Sequence, residues 1–183
     1  LAGDALLTLA FDVLSNTQTH PSAEIRNQLV SNLAARAGGA GMVGGQMIDL
    51  ESEHAEVDAD LILQLATMKT GALISYASAA GAILGNANRE LIKTLETFGF
   101  ELGLAFQIID DLLDVEGDED DLGKKVGKDG GAGKATLVSV LGVEGAKRKA
   151  RDVTDRALSR LSTFGARADG LRAVAEFVLA RKT

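Results

Sequence analysis

The chain has 183 residues, 46% hydrophobic and 25% charged, which suits a single domain with a sizeable core and excludes a disordered or fibrous polypeptide. It contains no Cys, so disulfides, thiolate zinc sites and a cysteine nucleophile are excluded, and a reducing, cytoplasmic location is expected. The net charge of −7 argues against nucleic acid and anionic membrane surfaces as partners, while leaving room for a local basic site that takes a phosphorylated small molecule.

Long Ala-, Leu-, Glu- and Arg-rich segments carry apolar residues at i, i+3, i+4 and i+7, and alternating strand patterns are scarce. The sequence therefore predicts an all-α fold, one domain over residues 1–183, with no internal repeat. Leu1–Ser15 reads as a helix, already under way at the first residue, so a preceding segment is expected. Asn16–His20 reads as a polar turn. Pro21, the one proline, sits at the start of the next helix, where its missing N–H is tolerated, and that helix runs to Ala37. Gly38–Gly45 reads as a glycine hinge, followed by a helix to Ser52 and an acidic link over Glu53–Asp58. Asp60 is the expected cap of a helix reaching Leu84. The apolar run Gly71–Ala87 carries Ser75, Tyr76, Ser78 and Asn86 and is read as a buried helix, not a membrane span. Asn88 caps a helix to Val115, with a candidate break at Gly99. Glu116–Gly133 reads as a long loop, Lys134–Leu141 as a short helix, and Glu144–Leu161 and Ala168–Arg181 as amphipathic surface helices. A helical glycine costs about 1 kcal/mol against Ala, so Gly99 and Gly103 predict close helix packing or backbone approach to a ligand.

The segment around Asp110 carries the chemistry. On a helical wheel with Gln107 at zero, Asp110, Asp111 and Asp114 fall near roughly 300°, 40° and 340°. Phe106, Ile108, Ile109, Leu112 and Leu113 occupy the other side. Carboxylates at i and i+4 repel, and Glu or Lys would form a better helix. Short carboxylates gathered at that cost suit hard cations such as Mg²⁺, which accept one or two protein oxygens and complete their shell with water or phosphate. Two rival motifs fail. An EF-hand register on Gly117 puts Leu112 and Gly123 where acids are required. A Walker A register on Gly133–Lys134 meets Lys128 in place of Gly and Ala135 in place of Ser or Thr. A plain solvated acidic helix face is the competing reading.

The following stretch, LGKKVGKDGGAGKAT, interleaves Lys124, Lys125, Lys128 and Lys134 with glycines, and Asp129 offers one more metal-facing oxygen. Lysines act as point charges on phosphate oxygens, and the glycines permit closure over a ligand. Upstream, GGQMIDL puts Gln46 and Asp49 on one helix face, and MKTGALISYA sets Lys69 and Thr70 in an otherwise apolar helix. A lysine in such a segment calls for a partner, unless it extends to solvent.

Taken together, GLAFQIIDDLLDVEGD with its lysine loop resembles the second aspartate-rich motif of the trans-polyprenyl diphosphate synthases. LAGDALLTLAFDVLS, GMVGGQMIDL and KTGALISYA resemble that family in the same order, across the whole chain. The short-chain farnesyl/geranylgeranyl type matches best. The resemblance implies an isoprenoid-synthase-type helical bundle around a central cavity, a homodimer, and Mg²⁺-dependent condensation of an allylic diphosphate with isopentenyl diphosphate, most simply to farnesyl diphosphate. It implies metal ligation by Asp110, Asp111 and Asp114, with Asp129 in support, and allylic diphosphate contacts from Lys69, Lys124 and Lys134. Thr70 and Gln107 would turn their oxygens to the developing carbocation, Gln46 and Asp49 would line the cavity, and Arg181 and Lys182 would reach the isopentenyl diphosphate site. The family's first aspartate-rich motif and the residues that hold isopentenyl diphosphate would precede Leu1. The chain is thus expected to be the C-terminal part of a longer enzyme and inactive alone. A geranylgeranyl diphosphate synthase, a terpene cyclase and a non-catalytic scaffold subunit are the alternatives.

Overall fold

The computed structural model describes residues 1–52, 58–121 and 136–181. Every regular element among them is helical: α1 (Ala2–Ser15), α2 (Ala23–Ala37), α3 (Met42–Glu51), α4 (Ala59–Ala66), a π-helical turn (Thr67–Gly71), α5 (Ala72–Leu84), α6 (Arg89–Asp121), α7 (Leu137–Arg160), a 3-10 segment (Leu161–Ala168) and α8 (Asp169–Ala180). The described residues contain no helix long and apolar enough to cross a membrane.

The helix starts follow side-chain chemistry. Ser22 accepts a hydrogen bond from the Ile25 backbone at 3.4 Å, Asp58 from Leu61 at 2.8 Å, and Asn88 from Leu91 at 2.9 Å. Thr136 and Ser139 form a reciprocal capping box at the head of α7. These bonds correct two expectations. Pro21 stands one residue before the cap, not inside the helix, and Asp58 caps α4 in place of Asp60. The glycine hinge is also shorter than expected, since Gly44 and Gly45 belong to α3.

α6 is the axis of the fold and packs against α5, α7 and α8. Phe98 and Leu102 meet Ala157, Leu161, Ala175 and Val178 in one apolar cluster. Further along, Ile108, Ile109 and Leu112 meet Ile62, Leu137, Val138, Ala146 and Ala150 in a second. The helix is continuous through Gly99. A Cβ there would lie 2.5 Å from Ser75 Cα, and one on Gly103 would lie 2.5 Å from Gly71 Cα, so these glycines let α5 and the π-turn close on α6. α6 also continues past Val115 to Asp121, where the sequence reads as a loop. Anchoring of the preceding turns against α7 overrides the weak local propensity of the acids and Gly117. In α7, Gly142 takes φ 68° and ψ 164° and marks the boundary expected between Leu141 and Glu144. α1 packs on α2 and buries none of its own residues.

Candidate functional site

The site begins with a close approach of two backbones. α3 lies so near the π-turn that a Cβ on Gly45 would stand 2.8 Å from Lys69 Cα and 2.9 Å from the Met68 carbonyl carbon. One helical turn on, Asp49 therefore meets Lys69, with Nζ 2.7 Å from Oδ2. Asp49 is 6% exposed, and Lys69 keeps 31% of its side chain accessible. Asp49 is thus a buried carboxylate and the partner that Lys69 calls for.

The adjacent Thr70 turns to α6. Its hydroxyl donates to Gln107 Oε1 at 2.7 Å, and Gln107 Nε2 donates to Asp111 Oδ1 at 2.9 Å. An ionised carboxylate only accepts, so the amide nitrogen faces Asp111 and the amide oxygen faces Thr70. The π-turn thus sends two consecutive residues to two different helices, Lys69 to α3 and Thr70 to α6. Such local departures from α-geometry are frequent where function resides.

A cleft of about 300 Å³ opens between these elements. Its polar lining is Asp49, Lys69, Gln107, Asp110, Asp111, Asp114 and Thr136, and its apolar wall includes Ile62, Leu65 and Leu137. The Asp111 carboxyl is pushed above its ordinary value, first by burial. The Gln107 hydrogen bond opposes that rise, the charges of Asp110 and Asp114 add to it, and the Leu137 backbone N–H opposes it again. Asp110 is paired with Arg181, 2.6 Å from guanidinium nitrogen to carboxylate oxygen, and that guanidinium stacks over Phe106 at 4.4 Å from the ring centre.

The cleft gathers six of the residues singled out from the sequence. Thr70 joins them through its bond to Gln107. Gln46 is half-buried one turn before Asp49 and is not among the cleft-lining residues. Lys124, Asp129, Lys134 and Lys182 lie outside the described residues. Two features escaped sequence reading. The π-turn has no composition signal. Arg181 reaches Asp110 from 71 positions away, a contact fixed only by the docking of α8 on α6.

The aspartate oxygens, with negative charge around Asp111 that no cation among the described residues offsets, fit a hard divalent cation. Among the described residues no three acidic or histidine side chains converge on a single point. One or two of the Asp110, Asp111 and Asp114 carboxylates would hold any one such ion, the remainder of its shell coming from ligand and water.

The polyprenyl synthetase family model matches residues 1–171. Over 186 residues the chain is 41% identical to the farnesyl diphosphate synthase of Escherichia coli (strain K12), a match covering 99% of this chain and 62% of that protein. It superposes on the apo structure of an FPP/GFPP synthase from Zymomonas mobilis with a TM-score of 0.85 and 41% identity, covering 97% of this chain and 59% of the other. It also superposes on a Helicobacter pylori geranyltransferase complexed with magnesium and isoprenyl diphosphate, with a TM-score of 0.77 and 32% identity, covering 97% and 58%. The chain spans about three fifths of the length of these relatives.

Proposed function

This chain belongs to the polyprenyl synthetase family, and from that premise we propose that its aspartate cleft holds an allylic diphosphate for head-to-tail condensation with isopentenyl diphosphate. The favoured product is farnesyl diphosphate, with geranylgeranyl diphosphate the alternative of the same chemistry. The observation that carries this reading is the convergence of Asp110, Asp111 and Asp114 with Lys69 and Gln107 on one cleft.

The residues support the chemistry as follows. Asp110, Asp111 and Asp114 would hold Mg²⁺, which would supply the positive charge that a departing diphosphate needs. Asp49 holds the Lys69 ammonium on the opposite wall, where it adds fixed positive charge for phosphate oxygens. The Thr70 hydroxyl proton is committed to Gln107, so its oxygen is left as an acceptor that stabilises positive charge on the hydrocarbon. Ile62, Leu65 and Leu137 keep water away from that charge, so that an alkene captures it. Lys124 and Lys134 would add phosphate contacts, and Asp129 would support the metal. Gln46 belongs to the same helix face as Asp49. The relatives' names and the magnesium and isoprenyl diphosphate of the Helicobacter pylori structure accord with this assignment. A homodimer is the proposed assembly.

The test is Mg²⁺-dependent binding of a non-hydrolysable bisphosphonate, followed by calorimetry. Asp110→Ala is expected to weaken it at least about tenfold, or about 1.4 kcal/mol. Affinity equal to the parent, or parent affinity that persists in EDTA, would rule out the metal role.

A further inference from the structure

The Asp111 carboxylate is held from two sides. On α6, the Gln107 amide, fixed in turn by Thr70, donates to Oδ1 at 2.9 Å. Across the cleft, the N–H of Leu137, the first residue of α7, donates to the same carboxylate. Leu137 and the preceding Thr136 both line the cleft. The Leu137 side chain is buried in the apolar cluster with Ile108, Ile109 and Leu112, but that burial does not aim the backbone N–H. The N–H belongs to the rigid peptide plane between Thr136 and Leu137, which turns with Thr136 ψ, 165° in an extended residue of φ −118°. The capping box fixes that conformation. Thr136 Oγ1 accepts from the Ser139 N–H at 3.1 Å, and Ser139 Oγ accepts from the Thr136 N–H at 3.0 Å.

We infer that Thr136 is a positioning residue for metal binding: by capping α7 it aims the Leu137 N–H at Asp111 and so fixes the orientation in which that carboxylate faces the cleft. The inference rests on the metal role proposed above for the aspartates. A carboxylate offers about four acceptor directions, so the Gln107 and Leu137 donors orient it and still leave room for a cation. Loss of such a hydrogen bond to a ligating group costs about 10–100-fold in metal affinity. Thr136 acts at one remove, through the Leu137 N–H, which places its effect at the lower end of that range. The buried packing of α7 on α6 keeps the helix in place when the cap is lost, so the effect falls on the carboxylate and not on the fold.

The experiment is a calorimetric titration of Mg²⁺ into the whole protein with the bisphosphonate present. Thr136→Val, which keeps the shape of the side chain and removes the acceptor, should weaken Mg²⁺ about tenfold, and Thr136→Ser should restore it. Ser22→Ala removes the corresponding cap of α2, away from the cleft. It should lower Tm much as Thr136→Val does and leave Mg²⁺ affinity unchanged, whereas a merely structural role for Thr136 would give the two variants the same Mg²⁺ response. A second readout needs no metal. In EDTA, hydrogen exchange at the Leu137 amide should quicken at least about tenfold in both Thr136→Val and Asp111→Ala. Parent Mg²⁺ affinity in Thr136→Val, failure of Thr136→Ser to restore it, or Leu137 exchange unmoved by Asp111→Ala would overturn the inference. Absence of Mg²⁺ binding by the parent would overturn the proposed function and this inference with it, whereas Mg²⁺ binding by the parent that Thr136→Val leaves unmoved overturns this inference alone.

Discussion

Gly45→Ala is the most direct test of how the site is assembled. The new methyl would meet Lys69 Cα at 2.8 Å and the Met68 carbonyl carbon at 2.9 Å, both backbone atoms that no rotamer change can move. Ordinary carbon contacts lie at about 3.5–4.0 Å, so α3 must retreat from the π-turn by about 1 Å. Overpacking of this kind costs about 1–3 kcal/mol. For a chain of this size that lowers Tm by about 2–4 °C per kcal/mol. The same retreat would stretch the Asp49–Lys69 pair out of its 2.7 Å geometry, so bisphosphonate affinity should fall together with Tm. Gly81→Ala is the control, because Gly81 is exposed within α5 and a Cβ there meets nothing within 4 Å. It should stabilise by up to about 1 kcal/mol through helix propensity alone. Thermal unfolding by circular dichroism reads both variants. If Gly45→Ala is as stable as the parent, or if Gly81→Ala loses as much, the close approach of α3 to the π-turn is not what builds the site.

Asp111→Asn keeps an acceptor for Gln107 while removing a buried charge crowded by Asp110 and Asp114. A carboxyl whose folded value is raised contributes stability below its ordinary range and loses it as pH rises through the raised value. Without metal at neutral pH, the Asn variant should therefore have the higher Tm, and the gap should close as pH falls below the ordinary carboxylate range. A lower Tm at neutral pH would contradict the assigned cause. The Asp49–Lys69 pair should respond asymmetrically. Lys69→Met strips a buried carboxylate of this ammonium, at about 3 kcal/mol, whereas Asp49→Asn leaves the partly accessible Lys69 to water, at about 1–2 kcal/mol. Equal losses in chemical denaturation would show that the two side chains share one environment.

Local chemistry made most of the helices legible. The apolar i, i+3, i+4, i+7 spacing locates α2, α5 and α8, Asn88 announces the start of α6, and the helical period alone brings Gln107 and its three aspartates to one side. What stayed hidden depends on contacts between segments far apart in the chain. Gly99 reads as a breaker because its cost is local, while its benefit, the approach of Ser75, is tertiary. Asp58 and Asp60 are equally good caps by type, and backbone geometry chooses between them. Arg181 carries no sign in its own neighbourhood that it will stack on Phe106 and grip Asp110.

That last contact bears on how the aspartate cleft is balanced. Lys69 neutralises Asp49, and Arg181 neutralises Asp110 from the other side of α6, whereas among the described residues Asp111 receives neutral donors, the Gln107 amide and the Leu137 N–H. Among the described residues, Asp111 is thus the cleft charge whose burial is least compensated, in agreement with its raised carboxyl. A cation entering the cleft gains most beside Asp111, and it gains at Asp110 only by competing with Arg181. Removing the competitor separates these two terms. In Arg181→Gln, the affinity for Mg²⁺ alone, followed by the thermal shift it produces, should increase, since Asp110 is then released to the metal. The double variant Arg181→Gln with Asp110→Asn should lose that increase. If Arg181→Gln instead weakens Mg²⁺ binding, the guanidinium positions the carboxylate rather than competing for it, and the balance just described is wrong.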